Sequence, residues 1–276
     1  MPSPARTVTV AALAVGAAVA GIFGATWTVD QLRSPTCEFA VGDSTESFSP
    51  EQSANASTIS MIAVERGLAP RAATIAIATA IQESKLVNIN YGDADSLGLF
   101  QQRPSQGWGS EEEVTDPVYA ANAFYDALVQ VDGWENGVVT EVAQEVQRSA
   151  FPTAYADHEP EARVAASVLT GETPAGVGCR LDGPSAAGSA TETSTKAANY
   201  FGYSSVPDGN TLTFTTSTNS QAWAVASWGV THAETENITA VMVDGQTWQR
   251  DSDPLTWASD DSGVSNDVTV VFEFAT

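Results

Sequence analysis

The sequence predicts a mainly α, orthogonal helical domain followed by a small α+β domain, the two preceded by an N-terminal transmembrane or signal segment. Three observations predict this. Residues 7–29 form a run of 23 without a charge, where crossing a bilayer as a helix takes roughly 20. From about residue 50 to 171, apolar residues recur at helical spacing between Pro, Asp and Gly punctuation. Beyond residue 210 several short runs alternate with the period of a strand.

The elements follow in chain order. After Arg6 the uncharged run offers Ala18-Val19-Ala20 as a signal-type cleavage site, yet it continues through Ile22, Phe23 and Trp27. An uncleaved anchor over residues 1–30, with the remainder outside the cytoplasm, is therefore the expectation. Cys37 and Cys179 are the only cysteines, and in an exported chain they are expected to form a disulfide. Pro50 to Arg66 reads as an amphipathic helix with Ala54, Ile59, Ile62 and Ala63 inward, broken at Gly67. A second helix from about Pro70 is apolar nearly all round and is expected at the centre of the domain. Asp116-Pro117 is a strong helix start, leading Val118, Ala121, Tyr125 and Leu128 along one face. A helix from about Thr140 carries Val142, Ala143 and Val146 and stops near Pro152. The last runs from about Pro160 to Thr170 and ends at Gly171.

Residues 182–198 are rich in Gly, Ser, Ala and Thr without apolar periodicity, and read as a linker between a domain at 37–181 and another at 199–276. In the second, Leu212 and Phe214 alternate, a helix starts near Ser220, and Val241 to Trp248 reads as a hairpin through Asp244-Gly245. Val268, Val270, Phe272 and Phe274 share one face of a final strand. Of the four Trp here, Trp223 and Trp248 are expected in the core and Trp257 exposed, where it would suit stacking on a polysaccharide.

Charge narrows the partners. The 34 acidic against 11 basic residues, a formal net of −23, exclude a nucleic-acid partner and an anionic membrane surface. Neither His158 nor His232 has a companion at metal-ligand spacing, so no metal and no cofactor are expected.

One residue stands out chemically. Glu83 interrupts the apolar helix near its C-terminal end, on a stripe with Ala76, Thr79 and Ala80 whose small side chains leave room for a ligand. Desolvation and the negative end of the helix dipole both disfavour its ionised form, which suits a proton donor to a glycosidic oxygen. A polar loop, Asn90 to Ser96, follows. Gly98 allows close backbone approach, and the Gln101 and Gln102 amides suit sugar hydroxyls. Trp108, between two glycines, suits either stacking on a pyranose or capping the core.

The Glu83-Ser84 pair followed by Gly98-Leu99-Phe100-Gln101, with the block Asp116 to Leu128, resembles the lytic transglycosylase branch of the lysozyme-like superfamily over residues 51–171. The runs Gln82 to Leu86 and Leu99 to Pro104 also resemble a group of exported actinobacterial proteins of lysozyme-like fold. The resemblance implies Glu83 as catalytic acid, Ser84 as its support, and Gln101 and Tyr125 in a groove for peptidoglycan glycan strands. The family's late Ala-x-x-Tyr-Asn-x-Gly block is replaced by Ala143 to Pro152, and Tyr155 would stand in for its tyrosine. Asp93 and Asp95 are the candidates for a second carboxylate. With one of them the chain would be a hydrolytic muramidase; without, a lytic transglycosylase, the preferred reading. A non-catalytic, membrane-anchored wall-binding protein is the third alternative.

Overall fold

The computed structural model describes residues 34–148, 153–250, 256–259, 264 and 267–276. The chain enters through β1 (Thr36–Val41), in which Cys37 and Phe39 turn inward, and doubles back as β2 (Ser44–Phe48). β1 lies between β2 and β3 (Val177–Arg180), antiparallel to both. Directly opposite each other in the β1–β3 pair stand Cys37 and Cys179, wholly buried and joined in the expected disulfide.

Between the strands of this small sheet runs the helical portion. Ser49 and Gln52 close a capping box that starts α1 (Pro50–Glu65). Pro in the first turn starts α2 (Pro70–Ser84), and a short α3 (Glu111–Val114) is capped by Ser110. Asp116 accepts from the Val118 and Tyr119 amides to begin α4 (Pro117–Leu128). Then come α5 (Val139–Gln147) and α6 (Glu159–Leu169). The helix end expected near Pro152 falls outside the described residues; α5 closes earlier, on Arg148 in the left-handed region.

The remainder contributes α7 (Ala190–Phe201), β4 (Ser205–Asp208), β5 (Thr211–Thr215), α8 (Asn219–Thr231), α9 (Ala233–Glu236), β6 (Ile238–Val243), β7 (Gln246–Gln249), β8 (Ala258–Ser259) and β9 (Thr269–Phe274). Its strands form one antiparallel sheet in the order β4-β5-β9-β6-β7-β8. The β6–β7 turn is the expected Asp244-Gly245, both at positive φ as a tight hairpin requires. Leu212, Phe214, Val270, Phe272 and Phe274 are buried, and Gly229 of α8 lies hard against Phe272.

The fold is therefore mixed α/β with two antiparallel sheets, and the mainly α expectation is corrected. The three-stranded sheet escapes sequence reading because β2 (Ser-Thr-Glu-Ser-Phe) has no apolar period and β3 is four residues long. The transmembrane expectation is not supported either: residues 7–29 lie outside the described residues, and among those described no helix is long and apolar enough to cross a membrane.

The stretch read as a linker contains α7, whose buried stripe of Ala190, Thr193, Ala197 and Phe201 is too weakly apolar to announce itself. It packs on α1, and residues 36–276 form one compact unit with a continuous core. The seam is hydrogen-bonded as well as apolar. Ser220 Oγ donates to Thr170 O at 3.2 Å, and Arg250 Nε to Asp182 O at 2.7 Å. Trp257, expected to be exposed, instead donates to Val177 O at 2.9 Å and packs edge-on against Trp223. Trp223, Trp228 and Trp248 are core residues, so this sheet offers none of them for stacking on sugars.

Two predictions follow from the packing. The disulfide joins residues 142 apart, and chain entropy assigns such a loop about 4–5 kcal/mol at most. Cys37→Ala with Cys179→Ala should lower unfolding free energy in urea by about 3–5 kcal/mol; an unchanged midpoint would show that the bridge constrains nothing. Second, residues 34–185 expressed alone should lack a cooperative thermal transition by circular dichroism, because α1 would lose its α7 and α8 neighbours. A sharp transition would show that the helical portion is self-sufficient.

Candidate active site

Helix α2 ends abruptly. Lys85 and Leu86 both take left-handed backbone angles, with φ of 57° and 58°, and the Leu86 amide reaches back to Ala80 O at 3.1 Å. Side chains of α1 hold this reversal in place: Gln52 Nε2 donates to Lys85 O and Asn55 Nδ2 to Leu86 O, each at 2.8 Å. Lys85 itself is exposed. One residue before the turn, Ser84 is buried, its Oγ 2.8 Å from Leu99 O and 3.1 Å from Ala80 O. Ser84 thus fastens the end of α2 to the Gly98 loop.

That orientation leaves Glu83 half-buried. Tyr155, on a 3-10 turn at Ala154–His158, donates its hydroxyl to Glu83 Oε1 at 2.7 Å. The Gln147 side chain, on the last turn of α5, is a second hydrogen-bond partner of the carboxyl, and its Nε2 also donates to Phe100 O at 2.8 Å. Burial raises the Glu83 pKa above its ordinary 4.5, while the bonds from Tyr155 and Gln147 draw it back part of the way. His158 braces the same turn, with Nδ1 2.7 Å from Glu161 Oε1 and Nε2 3.1 Å from Gln82 Oε1.

The other residues singled out by sequence fall into distinct places. Gln101 is half-buried at φ 47°, and its Nε2 donates to Tyr91 O and Gly98 O, both at 3.3 Å. Gly98 is itself buried; a Cβ there would lie 2.1 Å from Val114 O, so the glycine serves packing and not ligand approach. Gln102 is also buried and donates to Ala120 O at 3.1 Å. Trp108 is half-buried against the core. Tyr125 has no exposed surface: its hydroxyl donates to Ile59 O at 2.9 Å beneath the Arg66 guanidinium. The stripe of α4 that includes Ala121, Phe124 and Leu128 carries Tyr125 into the core, away from any groove.

The two acidic candidates differ. Asp95 binds Arg103 Nε at 2.7 Å, the Ser105 amide at 2.7 Å and the Ser105 hydroxyl at 3.0 Å. These bonds hold its carboxyl far below the usual range, as a permanent anion that shapes the loop. Asp93 is exposed, with its carbonyl taking the Ser96 amide at 3.1 Å.

Gln147 was not singled out by sequence, although a signal existed. Val139, Val142, Ala143 and Val146 make the buried stripe of α5, and Gln147 occupies the next position on it. A polar residue continuing an apolar stripe needs a partner inside.

One cleft among the described residues lies away from the Glu83 carboxyl. A cleft of about 520 Å³ lies at the start of α2, lined by Pro70, Arg71, Thr74, Arg163 and Glu172 among others. Helix rise puts it roughly 20 Å from Glu83. There Arg71 donates to the Trp134 and Gly137 carbonyls and Arg163 pairs with Glu159, so both its arginines are already engaged. The carboxyl with a perturbed proton affinity is the better guide to chemistry. Among the described residues no group of His, Cys, Asp and Glu is arranged to hold a metal ion. No family model matches the chain, and no curated protein matches it significantly.

A carboxyl whose pKa is raised by folding binds its proton more tightly in the native state. Its contribution to stability is complete below the unfolded value and is lost as pH climbs through the raised one. Glu83→Gln removes this titration, so its melting temperature relative to the wild type should rise between about pH 4 and pH 7. A flat difference across that range would show that Glu83 is not perturbed.

Proposed function

We propose that this protein is a peptidoglycan-cleaving lytic transglycosylase of the lysozyme-like kind, with Glu83 as general acid and then base. The observation that carries the reading is the Glu83 carboxyl itself: half-buried at a helix end, raised in pKa, and bonded by Tyr155 at 2.7 Å. Such a group retains its proton at higher pH than a surface carboxyl does. Protonated Glu83 delivers that proton to the glycosidic oxygen between N-acetylmuramic acid and N-acetylglucosamine as the C1–O bond breaks. The carboxylate so formed accepts the proton of the muramic C6 hydroxyl while O6 bonds to C1, closing a 1,6-anhydro ring and restoring the acid. No water is consumed. Tyr155 and Gln147 hold the carboxyl in one orientation through both steps.

The engagement of Asp95 with Arg103 and Ser105 commits that oxygen pair to its loop and leaves Asp93 as the one candidate for a second carboxylate, on which a hydrolytic route would depend. The buried disulfide supports action outside the cytoplasm, where wall glycan is found.

Mass spectrometry of fragments released from purified peptidoglycan tests the proposal. The wild type should release anhydro-muramic ends, and Glu83→Gln should reduce release by about 10²-fold or more. Reducing ends would indicate a hydrolase. Wall binding without release would make the site a recognition surface and end the enzyme reading.

A further inference from the structure

We propose that Tyr91 is a stacking subsite for a neutral N-acetylhexosamine ring of the glycan strand, an assignment that rests on the glycan-cleaving reading of Glu83. Tyr91 is 69% exposed, the most exposed large apolar side chain among the described residues. An isolated surface aromatic is ordinary. This one is set apart by its support.

The loop that carries it is fixed on every side. Tyr91 O accepts from Gln101 Nε2 at 3.3 Å. At the next residue, Gly92, a Cβ would lie 2.0 Å from Gln101 Oε1 and 2.6 Å from Ser96 O, so the backbone is packed directly onto the glutamine. The flanks are tied as well: the Gly98 amide donates to Ile89 O at 2.7 Å, and Asn88 Nδ2 to Thr115 O at 2.8 Å. A loop whose tip ring stays largely in water is thus tied to its neighbours by hydrogen bonds at its tip and on both flanks.

The same scaffold reaches the acid. Gln101 follows Phe100, whose carbonyl takes Gln147 Nε2, and Gln147 in turn bonds Glu83. Two glutamine side chains therefore connect the Tyr91 backbone to the reacting carboxyl, so the loop and the acid share one scaffold. An aromatic face on an immobile backbone loses little further freedom when a pyranose covers it. Asp93, exposed two residues away, puts a negative charge in the same loop, which favours a neutral ring over an anionic one.

The test uses the full chain with Glu83→Gln, so that no turnover occurs, and isothermal titration with chitopentaose, a neutral β-1,4 N-acetylglucosamine oligomer. Adding Tyr91→Ala should weaken binding about tenfold, while Tyr91→Trp should stay within about threefold of the parent. Equal binding by Tyr91→Ala would overturn the subsite, as would a parent with no affinity for the oligomer. The glycan-cleaving reading stands or falls separately, on release of anhydro ends by the wild type.

Discussion

From Ala56 to Ala63 every residue of α1 is buried, and five of the eight are polar or small: Ala56, Ser57, Thr58, Ser60 and Ala63. Burial on all sides means that α1 has helices on one flank and the C-terminal α/β layer on the other, and the arrangement of everything else follows from it. Hydroxyl side chains permit this where they are satisfied locally or across the seam, as Ser60 and Thr58 are, although the buried Ser57 Oγ has no partner among the described residues. Ser60 Oγ donates to Ala56 O at 2.9 Å, and Thr58 hydrogen-bonds the Tyr200 side chain from α7. Small side chains then allow close approach. The end of α2 is pinned by Gln52 and Asn55 of this same helix, so the position of Glu83 is inherited from α1.

Around Glu83 the backbone is unusually constrained. Lys85, Leu86, Ala94, Gln101 and Arg148 all have positive φ without being glycine, most of the eight such residues described. Each conformation is unfavourable for an L-residue and persists only where neighbours over-determine it. Here the over-determination is visible as hydrogen bonds from Ser84, Gln101, Gln147 and the α1 amides. Withdrawing a carboxyl from water is unfavourable for the anion, and the Tyr155 and Gln147 donors offset part of that without cancelling it. A group balanced in this way changes protonation more readily than one fully paired, as Asp95 is.

How much was legible in the sequence depended on whether a signal was local. Capped helices with strong stripes, such as α4 after Asp116-Pro117, declared themselves, as did the Asp244-Gly245 hairpin. The Ser and Thr of α1 looked like a solvent face because periodicity cannot distinguish a hydroxyl bonded to its own helix from one bonded to water, and the weak stripe of α7 let residues 182–198 read as a linker. At the site, the abrupt end of the apolar helix marked Glu83, and the neighbouring Ser84 bonds the Leu99 carbonyl and not the acid. Tyr125 and Gln102 misled because a motif position says nothing about depth, and both are interior residues. Gln147 was missed because its partner is far off in sequence.

The Cys37–Cys179 bond also decides how the molecule bears load. Any pull on the segment before Thr36, opposed at the far end of the chain, passes from β1 through one covalent link into β3 and onward to α7. The 141 residues between the two cysteines are bypassed and carry no tension along their backbone. Glu83, Tyr155 and Gln147 all belong to that slack loop, so force applied at the ends reaches the carboxyl only through side-chain packing and not along its own backbone.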